Sequence, residues 1–169
     1  MAPPIVNVDV AVEAFASNRC FDRHFGLDAA KVLPGEYYVT IEDRALATVL
    51  GSCVTACIRD VDSGIGGINH FMLPQCADDA RLAVSASGRY GAFAMELLIN
   101  ELAKLGARRG RIKAKVFGGG NVLPGMTVSN VSERNASFVL EFLKLEGIEV
   151  IAQDLLDDVP RKVYVFPRT

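Results

Sequence analysis

Apolar and polar residues fall into short runs along most of this chain. Seven runs read as strands: residues 36–40, 45–50, 54–59, 65–72, 111–116, 148–153 and 162–166. They are rich in Val, Ile, Thr and Tyr and are separated by Gly, Pro or Asp, the residues that suit turns. Residues 111–116 alternate polar and apolar side chains, which predicts one solvated face. Two further segments have helical spacing. In the first, Tyr90, Phe93, Ala94, Leu97, Leu98, Leu102 and Leu105 recur every three or four positions, and Gly106 follows as a helix stop. In the second, Phe138, Val139, Phe142 and Leu143 form an apolar stripe, with Ser132 as a candidate cap and Gly147 as the stop. Early strands followed by helix–strand units predict an α/β sandwich, with helices packed on mixed β-sheets.

Residues 1–34 carry little of this pattern and read as an N-terminal extension, leaving one domain over 35–169. The length of 169 residues fits one domain with an ample core, since half the residues are hydrophobic. The net charge of −2, from 18 basic and 20 acidic residues, gives no electrostatic reason to expect a nucleic-acid partner. The longest uncharged hydrophobic stretch, 45–58, is broken by Thr48, Gly51, Ser52 and Thr55 and falls short of the ~18 apolar residues of a membrane span. Met1-Ala-Pro-Pro lacks the basic start of a signal peptide. A soluble, cytoplasmic protein without membrane insertion is expected. Its four cysteines, Cys20, Cys53, Cys57 and Cys76, form no CxxC pair and are expected to be free thiols.

Candidate chemistry gathers at Leu-Gly-Ser-Cys, residues 50–53, directly after a strand. Glycine permits a sharp turn, which would project the Cys53 side chain and free nearby N–H groups to hold an oxyanion. A thiol is nucleophilic only when deprotonated, so it needs a base. His70 is the better of two histidines, because it closes the strand-like Gly-Gly-Ile-Asn-His at 66–70. Neighbouring strands would bring Cys53 and His70 to the same sheet end. Against this stands the ordinary fate of a free cysteine, which is burial as a small hydrophobe. Spacing alone leaves both readings open. Cys57, four positions on, reads as core. Cys20 and His24 with another cysteine make a poor zinc set, so neither metal nor cofactor is expected. The glycines at 118–120 lack the spacing of a phosphate loop and read as a tight loop. Asp154, Asp157 and Asp158 read as a solvated turn.

Several blocks in order resemble the chemoreceptor glutamine deamidase family of bacterial chemotaxis, the CheD family. They are 33–39 (Leu-Pro-Gly-Glu-Tyr-Tyr-Val), 49–54 (Val-Leu-Gly-Ser-Cys-Val), 69–74 (Asn-His-Phe-Met-Leu-Pro), 89–91, 95–102, 117–120 and 133–136 (Glu-Arg-Asn-Ala). The resemblance spans about Phe21 to Arg168 and includes a histidine seventeen positions after the cysteine. It implies a fold similar to the catalytic domain of cytotoxic necrotising factor toxins. It implies conversion of glutamines on chemoreceptor cytoplasmic helices to glutamate through a thioester on Cys53 with His70 as base, in some members hydrolysis of receptor methyl esters, and in many a chemotaxis phosphatase as second partner. The alternative is a non-catalytic adaptor for that phosphatase or for a receptor helix. Two departures stand out. The family's threonine six places before the cysteine is Ala47 here; Thr48 is the nearest hydroxyl but faces the opposite side of a regular strand, so a bulge would be needed to aim it at His70. Residues 154–158, Asp-Leu-Leu-Asp-Asp, replace a stretch where the family often has glycines.

Overall fold

The computed structural model describes residues 15–73, 80–122 and 129–169, with the side chains of 80–89 and 129–130 outside the description. Cys76, Pro74, the Arg89 side chain and positions 1–14 of the expected extension lie outside what is described.

Among the described residues, nine strands and two long helices run in the order β1 (Asn18–Asp22), β2 (Leu27–Lys31), β3 (Tyr37–Thr40), β4 (Ala45–Leu50), β5 (Val54–Asp60), β6 (Gly66–Asn69), α1 (Ala80–Lys104), β7 (Ile112–Gly118), α2 (Ser129–Leu145), β8 (Glu149–Leu155) and β9 (Arg161–Val165). A larger sheet has the order β3-β6-β5-β7-β8 and a smaller one β1-β2-β4-β9. Both are mixed, with β7–β8 and β2–β4 the parallel pairs. The expected α/β sandwich of helices on mixed sheets is therefore present. All seven expected strands form. Residues 18–31, read from the sequence as part of an extension, form β1 and β2 and are hydrogen-bonded into the smaller sheet.

Two cores explain the layering. Along β5, Val54, Ala56 and Ile58 face one way, as do Ile112, Ala114 and Val116 of β7. They bury against Met95, Leu98, Ile99 and Leu102 of α1 and Val139 and Leu143 of α2. The opposite face of the larger sheet meets the smaller one through Cys57, Ile68 and Tyr38 against Leu46, Leu50 and Val163. The two stripes of β5 thus serve two cores, as the period of two in a strand requires. Gly106 and Gly147 end the helices with φ of +103° and +68°, the left-handed conformation expected of glycine there. Ser132 is not the cap expected of it. It lies inside α2, and its hydroxyl donates to the carbonyl of Gly120. Tyr90, Phe93 and Leu105 of the α1 stripe are exposed rather than buried, because the core-facing stripe is 95–98–99–102.

Candidate active site

The chain leaves the smaller sheet at Leu50 and enters the larger one at Val54, so residues 51–53 form the crossing between sheets. Each carbonyl of that turn is held from behind. Gly51 accepts from the N–H of Gly120 at 2.9 Å and Cys53 from that of Gly119 at 2.8 Å. Ser52 accepts from the side-chain amide of Asn135 at 2.9 Å. With the carbonyls turned toward β7 and α2, the N–H groups of Ser52 and Cys53 donate to no backbone carbonyl among the described residues. Backbone N–H groups that meet no carbonyl, beside a thiol, are the parts of an oxyanion hole. Gly51 does not need a positive φ for this; a side chain there would press on Val122 at 3.1 Å. The backbone strain lies instead at Gly118, whose φ is +110° and where any side chain would collide with the carbonyl of Cys53. The expectation of a tight glycine loop at 118–120 is met, and the loop lies close against the 51–53 turn.

Strand register relates Cys53 to His70. β5 and β6 are antiparallel neighbours, and the ladder continues through Val54 and Phe71, which exchange hydrogen bonds of 2.9 and 3.0 Å. In that register Cys53 and His70 share the face that meets the smaller sheet, one pair apart, a diagonal within reach of longer side chains. The His70 backbone is fixed by Glu36, which accepts its N–H, and by Gly35, which donates to its carbonyl.

Thr48 lies across the gap on β4, and its placement corrects the sequence expectation. β4 pairs with β9 in unbroken register, with no bulge. Thr48 nevertheless faces His70, because the buried side of β4 is that of Leu46, Thr48 and Leu50, while Val49 points outward. Thr48 Oγ1 is 2.8 Å from His70 Nδ1 and 2.8 Å from the carbonyl oxygen of Val32. The carbonyl can only accept, so the hydroxyl proton goes to Val32 and the hydroxyl oxygen accepts from Nδ1–H. This hydrogen-bond pattern assigns the ring proton to Nδ1 and leaves Nε2 with a lone pair. Nε2 is buried and has no partner among the described residues. Asn69 plays no part in orienting the ring: it accepts the N–H of Ala56 and donates to the carbonyl of Ala94.

Burial pulls the His70 imidazolium pKa down, against the opposing pull of the Val32 carbonyl and the Glu36 carboxylate. Burial also pushes the Cys53 thiol up, only partly offset by its own N–H. Burial thus favours the neutral form of both the thiol and the imidazole. Cys57 is fully buried and its thiol is pushed up to about 12, mainly by that burial, as a core cysteine should be.

Sequence reasoning does not single out Asn135, yet the structure makes it a support of the site. It is fully buried, and besides donating to Ser52 it accepts the N–H of Leu73 at 2.9 Å. One side chain thus ties the 51–53 turn to the segment after His70. The signal in the chain is a polar residue on the apolar stripe of a helix, at 135 between Val131 and Val139. The acidic run is also more than a solvated turn. Asp154 pairs with Arg161 at 2.8 Å, Leu156 donates to Gly118 at 2.9 Å, and Asp157 accepts from Asn121 at 2.7 Å. Leu156 and Asp157 hold φ of +68° and +71°, where the resemblance places glycines. Among the described residues no group of three or more His, Cys, Asp or Glu side chains is arranged to hold a metal ion. No helix among them is long and apolar enough to cross a membrane.

Comparison with known proteins agrees with the family resemblance. The family model "CheD chemotactic sensory transduction" matches residues 72–169. A protein of Dechloromonas aromatica named "Probable chemoreceptor glutamine deamidase CheD 1" is 66% identical over 92% of this chain and 76% of its own length. Proteins of Janthinobacterium sp. (strain Marseille) and Herminiimonas arsenicoxydans, both named "Probable chemoreceptor glutamine deamidase CheD", are 60% and 62% identical over 95% and 93% of this chain and 79% and 77% of theirs. Among solved structures, a hypothetical protein YfiH of Bacillus licheniformis overlays with a TM-score of 0.41 at 14% identity, over 73% of this chain and 49% of that one. By the family match and by these identities, the chain belongs to the CheD family.

Proposed function

We propose that this protein is a protein-glutamine deamidase that converts glutamine side chains of chemoreceptors to glutamate, with Cys53 as nucleophile, His70 as general base and Thr48 as the residue that orients His70. The observation that carries this reading is the Val32–Thr48–His70 chain of hydrogen bonds, which leaves the buried Nε2 without a partner among the described residues. The names of the relatives supply the substrate class.

In the first half-reaction Nε2 takes the thiol proton as sulfur attacks the amide carbon. The oxyanion is held by the N–H groups of Ser52 and Cys53, and collapse expels ammonia with the proton returned by the imidazolium. In the second half-reaction Nε2 deprotonates a water that attacks the thioester. The carboxylate leaves and the thiol is restored. The same acyl chemistry accepts a methyl ester, with methanol leaving instead of ammonia. The reading includes action in the cytoplasm, a phosphatase as second partner, and the likeness to the cytotoxic necrotising factor catalytic domain.

The test is mass spectrometry of a soluble cytoplasmic fragment of a bacterial chemoreceptor after incubation with the protein. Specific glutamines should gain the mass of NH₂ replaced by OH, with one ammonia released for each. Unchanged masses over many hours at equimolar protein would overturn the reading.

A further inference from the structure

The smaller sheet covers only part of the larger one. Its last strand, β9, packs near β5 and β7 through Val163 and Val165, and β8 beyond it is largely exposed. Under that edge lies a cavity of about 280 Å³, bounded by residues 164–167 and lined on the larger sheet by Arg59, Lys113 and Lys115. Its volume is close to the lower end of the ~300–1,000 Å³ typical of small-molecule pockets. Register gathers the three cations. Arg59 lies directly opposite Lys113, and Lys115 follows two positions on, so it shares that face. Like charges placed directly opposite destabilise a sheet. Glu149 pairs with Lys113, but Arg59 and Lys115 make no ion pair among the described residues. Arg59 Nε is in addition buried, with no hydrogen-bond partner there. A buried N–H left open marks a place for a water or an ion, and the positive charge around this one selects an anion. Apolar side chains complete the lining: Phe117, half-buried, with Val61 and Ile151, 45% and 52% exposed.

We propose that this cavity is a binding site for a small phosphate monoester, held by Arg59 and Lys115 beside the Lys113–Glu149 pair. Three cations less one carboxylate leave two positive charges, and a phosphate monoester is mostly a dianion at neutral pH, its second pKa being about 6. The guanidinium offers directed N–H donors and the ammonium a mobile point charge, the two modes in which proteins hold phosphate. The organic group of the ester lies against Phe117, Ile151 and Val61. The site is separate from the candidate active site and independent of the deamidase reading. Arg59 stands six residues beyond Cys53 along an extended strand, which is ~20 Å.

The experiment is calorimetric titration of the full protein with phenyl phosphate, inorganic phosphate and acetate, at constant ionic strength set with sodium chloride. Phenyl phosphate should bind at one site, more tightly than inorganic phosphate because the ring adds apolar burial, and acetate should bind at least about tenfold more weakly than either. Arg59→Gln and Lys115→Gln should each weaken phenyl phosphate at least about tenfold, while Lys144→Gln, at an exposed lysine near the end of α2, should leave its Kd unchanged. Phenyl phosphate should raise the Tm of the wild type and of Lys144→Gln, but not that of Arg59→Gln. Without any added anion Arg59→Gln should melt no lower than the wild type, since it removes one of two opposed charges, and Lys115→Gln keeps the test open should it melt lower. Three results overturn the proposal: no binding of phenyl phosphate by the wild type, a Kd that neither Arg59→Gln nor Lys115→Gln changes, or acetate binding as tightly as phosphate.

Discussion

Strand β5 begins beside Cys53 and ends in Asp60, and its two ends treat buried polar groups in opposite ways. Asp60 is fully buried, yet its carboxylate accepts from the N–H groups of Asp62, Ser63 and Arg108 and from the Arg111 guanidinium. Burial would raise its pKa, but these donors outweigh burial and hold it below the usual carboxylate range. At the other end the arrangement is left open. His70 Nε2 has no partner among the described residues, and the N–H groups of Ser52 and Cys53 meet no backbone carbonyl there, although the carbonyls of the same turn are all paired. A satisfied buried cluster stabilises; a cluster whose supports are satisfied and whose business end is not stores reactive capacity. The difference sets the Cys53 end of β5 apart on a strand that is otherwise uniform core, and it supports the reading of Cys53 and His70 proposed above.

The sharpest break in this comparison is Cys53→Ala. Deamidation should fall by at least about a thousandfold, as nucleophile removal does elsewhere, with Tm unchanged within error. Cys57→Ala, four residues along the strand, should do the reverse and lower stability by about 1–2 kcal/mol with the rate retained. Activity lost in Cys57→Ala alone would put the nucleophile in the wrong place.

Asp60→Ala tests the structural end. It strips acceptors from three N–H groups and a guanidinium, so unfolding in urea should show a loss of about 3 kcal/mol. Cys53 alkylation at 25 °C should be unaffected. Because the folded pKa lies below the ordinary 3.8, the contribution of Asp60 is fully present above that pH and is lost as pH falls through the folded value. The gap between wild type and variant should therefore be constant near neutrality and close below about pH 4. A gap that persists in strong acid would assign the stability to packing instead.

Thr48→Val removes a hydroxyl but keeps the shape and β-branching. Loss of the group that fixes the His70 tautomer should lower kcat about tenfold to a hundredfold, with a far smaller change in Tm. A silent Thr48→Val would mean that the ring holds its working tautomer without that hydroxyl.

The smallest effect is in the pH–rate profile. Since burial depresses the His70 pKa, the imidazole stays neutral through the ordinary 6.5, and the acid limb of kcat/KM should lie below that value. An acid limb at or above 6.5 would mean that the ring is solvated in the working enzyme.

Much of this is legible in the chain because local chemistry decides it. β-Branched runs bounded by glycine and proline mark seven strands, and Leu-Gly-Ser-Cys with His70 marks the pair proposed to react. What stays hidden depends on which face meets which neighbour. Strand alternation says that Ala47 and Thr48 point apart, but only the stacking of the smaller sheet says which of them faces His70. β1 and β2 are invisible because Asn18–Asp22 is almost wholly exposed and carries no apolar alternation; pairing with neighbours, not sequence, makes it a strand. The left-handed conformation of Leu156 and Asp157 is equally hidden, since neither residue type favours it strongly; their hydrogen bonds to the glycine loop impose it.

The supports of the nucleophile turn also set a timetable. A nascent chain carries Thr48, Cys53 and His70 well before it carries Gly119, Gly120 and Asn135, the last lying 83 positions beyond Ser52. Until those groups arrive, nothing holds the turn's carbonyls away from its N–H groups, and the thiol is an ordinary one. Assembly of the turn that holds Cys53 is thus a late, long-range event in folding. A ribosome-bound or half-folded copy carries Thr48, Cys53 and His70 without the groups that hold that turn.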